Sequence, residues 1–323
     1  MTLTSDQAVA VLRAAAEPTR LRILALLARE ELAVLELCRI LGQSQPRVSR
    51  HLKLLAEAGL VERFPDGAWV FYRLASGTAA RTLVDQALAL VCAEDQVLSF
   101  DAERLAGVSE ERGAQAGAYF AENAERWDEM RSLHTAEDAV EAAILEAAGE
   151  GPYQRLVDLG SGTGRMLTLL GDRATSAIGL DLSRQMLNIA RTHVADAGLG
   201  ACELRHGDIL GTGLPDGCAD LVVVHQVLHY LADPAAAAAE AARLVAPGGR
   251  LLIVDFAPHE LEFLRAEHRH RRLGFLDSEI ERWLGDAGLS AMNVRALPPA
   301  ADGGLTVKIW SASREAGRVR LIA

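Results

Sequence analysis

The chain has 323 residues, half of them apolar, which suits about two domains that each bury a core. Its net charge of −11 is uneven: residues 1–75 hold 10 Lys and Arg against 8 Asp and Glu, so the acidity lies beyond them. An acidic chain repels polyanions, so any DNA contact is confined to the N-terminal part; no apolar run reaches the roughly 18 residues of a membrane span. The N-terminus lacks the charged-then-apolar pattern of a secretion signal. The cysteines Cys38, Cys92, Cys202 and Cys218 are scattered without a CxxC pair, which leads us to expect reduced thiols in a cytoplasmic protein.

Residues 3–16 read as a short amphipathic helix, interrupted by Pro18, after which LRILALLA (21–28) resumes a helical stripe. ELAVLELCRILG (31–42) is a helix stopped by Gly42. Ser44 is placed to cap the next helix and Pro46 falls in its first turn, where a missing N–H costs nothing. That helix ends at Gly59. LVERF and WVFYRL then surround Pro65-Asp66-Gly67, which reads as a hairpin turn. Residues 78–98 read as a further helix, the polar, Gly-containing stretch 99–118 as a linker, and 119–150 as a helical cover over the C-terminal part of the chain.

Two helices joined by a tight turn and followed by a hairpin make a winged helix-turn-helix. On the second helix Val48, Leu52 and Leu55 form one buried stripe. The rest of that helix start presents Ser44, Gln45, Arg47, Ser49, Arg50 and Lys53, with His51 at the border and no acid between Gln43 and Lys53. Arg and Gln can grip base edges bidentately, and Ser and Lys suit phosphates, so these seven residues are the expected contacts to double-stranded operator DNA. Arg63 and Arg73 flank the hairpin and suit either a phosphate or a structural partner.

EPTRLRILALL (17–27), SQPRVSRHLKLLAEAGLV (44–61) and the hairpin ending WVFYRL resemble the ArsR/SmtB family of winged-helix repressors. The resemblance implies a homodimer formed by the first and last helices of the domain, here residues 3–16 and 78–98, within a domain spanning 1–98. Many members of that family sense metals through an ELCVC pattern. The corresponding stretch here is Glu31-Leu32-Ala33-Val34-Leu35, Cys38 has no thiol or imidazole neighbour in sequence, and the last helix holds no His. Soft-metal binding needs converging thiolates, so no metal site is expected and the signal must enter elsewhere.

After Gly151-Pro152 the pattern alternates strand and helix: RLVDLG, SAIGLD, ACELRHGD, ADLVVVH and GRLLIVDF as strands, then a final pair, NVRAL and LTVKIWSAS. The intervening helices centre near Leu167, Ile189, Leu228 to Leu244, and Glu281. This is an α/β reading: a doubly wound, Rossmann-like domain over 119–323, its α/β core from 151, closing with an antiparallel strand pair. VDLGSGTGR (157–165) is a strand, a Gly-rich turn and a helix start, in which Gly160, Gly162 and Gly164 admit a ligand close to the backbone. Asp181 ends the next strand, where a carboxylate can take both hydroxyls of an adenosine ribose. Asp208 can accept from an adenine amino group, with Ile209 packing on the ring. The rival ligand is a dinucleotide, whose fingerprint sets the third glycine one place later.

VDLGSGTGR, AIGLDLSRQMLNIAR, HGDILGTGLPDGCADLVVVHQVLHYLADP and RLVAPGGRLLIVDF together resemble class I S-adenosylmethionine-dependent methyltransferases, nearest the ubiquinone/menaquinone-type group. The resemblance implies S-adenosylmethionine or S-adenosylhomocysteine as ligand, held at Asp158, Gly160, Ser161, Gly162, Gly164, Asp181, Leu182, Met186, Asp208, Ile209 and His225. It also implies a preceding helix closing over the methionine end with Tyr119, Trp127 and Arg131.

His225 and His229, four residues apart and read as one helix face, are candidates for a general base. HELEFLRAEHRHRRLGF (259–275) reads as a substrate lid, a docking face or a solvated helix. An Asn/Asp-Pro-Pro-aromatic motif would mark a DNA methyltransferase, and its place reads His225-Gln226-Val227-Leu228. Two functions are compatible with this sequence: a repressor controlled by the adenosyl ligand, or an active small-molecule methyltransferase carrying an autoregulatory DNA-binding domain.

Overall fold

A computed structural model describes residues 3–66, 69–75, 79–92, 95–124, 137–299 and 304–316. The chain divides into two compact units, Met1–Ala114 and Gln115–Ala323.

In the first unit, α1 (Ser5–Ala15) begins at a reciprocal cap between Thr4 and Gln7. Glu17 caps α2 (Pro18–Leu27), accepting from the Arg20 N–H at 2.9 Å. After the short strand β1 (Leu32–Ala33), α3 (Val34–Leu41) stops at Gly42, whose φ of +64° suits a residue without a Cβ. α4 (Gln45–Glu57) follows at once. Ser44 holds the extended backbone of its cap, but its side chain makes no cap hydrogen bond. Val48, Leu52 and Leu55 are fully buried among Ile23, Leu24, Leu37 and Ile40, as the apolar stripe predicts. β2 (Val61–Asp66) and β3 (Trp69–Leu74) form the wing, and β1 pairs with β3. Pro65 and Asp66, expected in the turn, pair with Val70 and Trp69 and belong to the strands, while Gly67 lies outside the described residues.

α5 (Ala79–Ala89) ends well before residue 98, and the linker expected at 99–118 is instead part of a continuous helix, α6 (Gln96–Asn123). A local cap and a distant ion pair offset its glycines, each of which costs about 1 kcal/mol relative to Ala. Asp95 accepts from the Leu98 N–H (2.9 Å) and starts the helix. Asp101, buried, takes a bidentate grip from Arg22 at 2.6 and 2.7 Å, while Leu105 and Val108 enter the core.

In the second unit α7 (Glu137–Ala148) precedes a seven-stranded sheet. Its strands in chain order are β4 (Tyr153–Leu159), β5 (Ala174–Asp181), β6 (Cys202–His206), β7 (Ala219–His225), β8 (Val245–Phe256), β9 (Ser290–Leu297) and β10 (Val307–Ser313). The spatial order is β6-β5-β4-β7-β8-β10-β9. The first five run parallel, and β10 lies antiparallel between β8 and β9, as expected for a doubly wound sheet with a closing strand pair. Leu221, Val222, Val223 and Val224 are buried to within 1% and face two cores. One core takes α10 (Pro234–Leu244) and α12 (Asp277–Asp286); the other takes α7 and α8 (Arg165–Leu170). α9 (Arg184–Asp196) connects β5 to β6, and α11 (Phe263–His268) is short. The chain winds outward from β4 and returns at β7, so a crevice opens at the carboxyl ends of these two strands. Among the described residues no helix is long and apolar enough to cross a membrane.

Leu52→Ala is expected to destabilise the first unit by about 2–5 kcal/mol, the cost of a cavity at a fully buried leucine. Chemical denaturation followed by circular dichroism measures it; a loss within error of zero would show that α4 does not pack on this core.

Candidate functional site

The start of α4 exposes Ser44, Gln45, Arg47, Arg50 and Lys53, with Ser49 half-buried. Gly42 forces the tight turn before it, so these side chains project from the first three turns of a helix whose opposite face is core. His51 departs from the expectation. Its ring is largely buried and its Nδ1 lies 3.4 Å from Glu17 Oε2, because Glu17, capping α2, meets it there. Arg63 stays exposed at the wing. Arg73 is a structural residue: its guanidinium reaches Glu31 (3.3 Å) and Glu62 (2.9 Å) and lies over the Phe64 ring. Burial pushes the Cys38 thiol up, keeping it protonated. No group of three His, Cys, Asp or Glu side chains that could hold a metal occurs among the described residues.

In the second unit the loop after β4 lies at the crevice. Gly160, Gly162 and Gly164 all have φ between +50° and +84°. A Cβ on Gly160 would stand 2.4 Å from Val227 Cγ2, and one on Gly164 would stand 3.1 Å from Ala190 Cβ. The Gly160 and Ser161 N–H groups donate to the Leu180 carbonyl at 2.7 and 3.0 Å, tying the loop to β5. Asp181, at the end of β5, is the hub: one oxygen accepts from the Gly162 N–H (2.8 Å), the other from the Ser183 N–H (2.7 Å) at the start of α9. Burial raises its pKa, against these two hydrogen bonds, which favour the carboxylate. Each oxygen keeps a lone pair for another donor.

The other expected ligand residues fall around this hub in different ways. Asp158 is buried beneath the loop. Cys202 is pushed up to about 11 by burial and by the Asp158 charge, so its thiol is not reactive. Met186, capped by Ser183 Oγ, is buried, whereas Leu182 is exposed. Asp208 is exposed, accepting from the Leu210 N–H at 2.9 Å, and Ile209 beside it is buried. His225 ends β7, half-buried. Tyr119 joins His268 Nδ1 through its hydroxyl at 2.7 Å, and burial pushes it up to about 12. Trp127 and Arg131 lie outside the described residues. An adenosyl ligand fits this set: a glycine cradle that side chains would fill, a carboxylate with spare acceptors, and Ser161 Oγ, buried with no hydrogen-bond partner among the described residues.

Residues 17–63 match the bacterial regulatory protein, arsR family, and 157–253 match a methyltransferase domain. Over 102 residues the chain is 44% identical to the arsenic resistance transcriptional regulator ArsR1 of Pseudomonas putida, covering 31% of this chain and 78% of that protein. The chain belongs to the arsR family of bacterial regulatory proteins. In this arsR-family chain the DNA-binding domain is followed by a methyltransferase domain. Over 143 residues that region is 34% identical to a demethylmenaquinone methyltransferase of Thermus thermophilus, covering 43% of this chain and 64% of that one. Over 170 residues the chain is also 34% identical to a 37.1 kDa protein of transposon TN4556 from Streptomyces fradiae, covering 47% of this chain and 48% of that one. It thus spans about half the length of the transposon protein and just under two thirds of the Thermus enzyme. A chain of the complex between the Haloferax volcanii Trm112 methyltransferase activator and a methyltransferase shares the fold, with TM-score 0.50 and 23% identity over 62% of this chain and 97% of that chain.

Within the methyltransferase domain of this arsR-family chain, His225 and His229 do not share a helix face. His225 ends a strand, Gln226 takes a positive φ of 52°, and His229 sits in a 3₁₀ turn, Leu228–Tyr230. Asp233 caps the true helix α10 only afterwards. The sequence pattern does not single out Asp255, which accepts from His229 Nδ1 at 2.8 Å. Nor does it place segment 259–275, which is not a solvated helix: His270 and Arg272 are buried, and Arg272 pairs with Glu279. An acid at the end of a strand otherwise made of buried apolar residues was the available signal for Asp255.

Gly160→Ala is expected to cost about 1–3 kcal/mol, because the new methyl needs both a left-handed backbone and the space of Val227. Thermal unfolding of the variant measures this, and an unchanged melting temperature would show that the loop does not pack on Val227.

Proposed function

We propose that the chain is a transcriptional repressor whose operator affinity is set by S-adenosylhomocysteine or S-adenosylmethionine bound at Asp158–Gly164 and Asp181. The observation that carries this reading is the Asp181 carboxylate, which fastens the glycine loop to α9 and keeps acceptors for ribose hydroxyls. Asp208 and Ile209 are the adenine residues in this reading, Asp158 and the backbone near Gly160 and His225 hold the methionine end, and Met186 packs beside the nucleoside. Ser44, Gln45, Arg47, Ser49, Arg50 and Lys53 read DNA. The repressor acts as a homodimer through α1 and α5; exposed Val9 and Leu12 on α1 and Leu90 just after α5 supply apolar surface for that contact.

The two ligands differ by one methyl group and one positive charge. A response requires that one of them bind the DNA-competent and DNA-incompetent states unequally. Titration of the full chain onto DNA from upstream of its own coding sequence, followed by gel shift, is expected to give different midpoints with the two ligands. Asp181→Ala is expected to weaken binding of the adenosyl ligand at least about tenfold, through the lost hydrogen bonds to charged oxygen, and so to remove the ligand response. Equal midpoints with either ligand and with none would contradict the proposal.

Removal of one phosphate-contacting charge lowers the slope of log affinity against log salt by about 1. Arg47→Ala and Arg50→Ala together are expected to flatten that slope or to relax base preference. Fluorescence anisotropy at several salt concentrations measures this; an unaltered slope and unaltered preference would remove α4 from the DNA interface.

A further inference from the structure

The loop between β7 and α10 carries a buried dyad. His229 is 1% exposed, and its Nδ1 stands 2.8 Å from Asp255 Oδ1 near the end of β8. The same oxygen accepts the Phe256 N–H at 2.8 Å, which fixes the carboxylate. A carboxylate only accepts, so the proton of the pair lies on Nδ1 and Nε2 keeps its lone pair. Nε2 makes no hydrogen bond among the described residues.

Around this dyad, Asp255 Oδ2 and His270 Nδ1 are buried with no hydrogen-bond partner among the described residues. Such atoms are rare in native proteins, and each calls for a partner that the described residues do not supply. The His270 ring lies 4.2 Å from that of His229, between centroids. Burial, then the neighbouring His229, drives its pKa far down, so the imidazole stays neutral. Tyr230 (4.1 Å from His229), Phe256 (5.0 Å) and Phe120 (4.8 Å from Tyr230) complete an aromatic surround. The Arg271 and Arg272 N–H groups donate to the His229 carbonyl at 2.8 and 3.0 Å and pin segment 259–275 over it. The loop bearing His229 also rests on the glycine loop, since Val227 fills the space a Gly160 Cβ would need. Val227 directly precedes the turn that holds His229, so the dyad adjoins the glycine loop.

We infer that the Asp255–His229 dyad is a general base that takes the proton from a flat, uncharged, phenol-type methyl acceptor bound beside the glycine loop. The inference rests on the adenosyl reading of that loop. The aromatic surround disfavours a charged acceptor, which would lose its hydration there. A hydroxyl supplies the donor that the open acceptors lack. As its proton moves to His229 Nε2, the oxygen lone pair forms the bond to the methyl carbon of S-adenosylmethionine. The carbon–sulfur pair leaves with the sulfur, giving the aryl methyl ether and the neutral thioether, and the imidazolium returns its proton to water. His229 is then a catalytic residue and Asp255 a positioning residue that holds the tautomer.

The test uses the full chain. Calorimetry with S-adenosylhomocysteine checks the adenosyl reading by itself. 4-Nitrophenol, whose ionised form is yellow, is then titrated into the loaded protein. A saturable yellow rise is expected in the wild type and not in His229→Gln or His229→Asn; continued binding of S-adenosylhomocysteine by either variant shows that it is folded. With labelled S-adenosylmethionine and catechol, methyl transfer is expected to fall about a hundredfold in the same variants. Asp255→Asn is expected to lower kcat with little change in the KM for catechol, which lost packing alone would not produce. S-adenosylhomocysteine binding without a yellow rise, or a rise that survives loss of His229, overturns the dyad. Ionisation without methyl transfer to catechol overturns the acceptor assignment. No binding of S-adenosylhomocysteine overturns the adenosyl reading beneath it.

Discussion

The carboxylate of Asp181 sets the geometry on which the ligand site depends. It receives one N–H from the middle of the glycine loop and one from the start of α9, so two chain reversals are positioned by a single side chain. Hydrogen bonds to a charged group contribute about 1.5–3 kcal/mol each, more than a neutral pair. They must also offset the cost of burying the charge, which is why Asp181 titrates above its ordinary range. A ligand that donates to the same oxygens would further favour the ionised form. Such a ligand would link loop order to its own binding through one titratable group.

The exposed arginines at the start of α4 follow a different rule. The chain is acidic overall, yet Arg47 and Arg50 project from α4 with no acid between Gln43 and Lys53. Arg73, a few ångströms from two glutamates, shows what happens to an arginine elsewhere in the same domain: it is neutralised and becomes scaffold. His51, largely buried, lies 3.4 Å from Glu17 through its Nδ1. What separates Arg47 and Arg50 from Arg73 is therefore the carboxylates around Arg73, not residue type.

The periodic parts of the chain were legible in its sequence. The Val48, Leu52, Leu55 stripe and the strand alternation from β4 to β8 are local patterns, and both units obey them. The glycine loop was legible for the same reason, because its positive-φ positions need glycine wherever the ligand lies. The hidden features depend on distant partners. Residues 99–118 looked like a linker because an acid among glycines gives no helical stripe. Asp101 belongs in a helix because Arg22, 79 residues earlier, grips it. His229 stood out in the sequence as a candidate base, but its partner Asp255, 26 residues later, shows only once the pairing of β7 with β8 places it there. The error of placing His225 and His229 on one helix has the same origin: the strand end and the positive φ at Gln226 break a spacing that looks helical in sequence.

The continuity of α6 depends on contacts with the helices around it. The division between the two units falls inside this helix, so the covalent path from one to the other runs through it. Within the first unit, Arg104 of α6 donates to the Ile40 carbonyl of α3, the helix just before the reader, and Glu111 pairs with Arg39 of α3. The Arg39–Glu111 pair is exposed, and such pairs are worth at most about 1 kcal/mol. Removing one partner of a buried pair such as Arg22–Asp101 costs about 3–5 kcal/mol. The buried pair is therefore the stronger hold on α6. Together these contacts fasten the first half of α6 to α2 and α3, so this stretch of the chain is part of the first unit's framework and not a free connection.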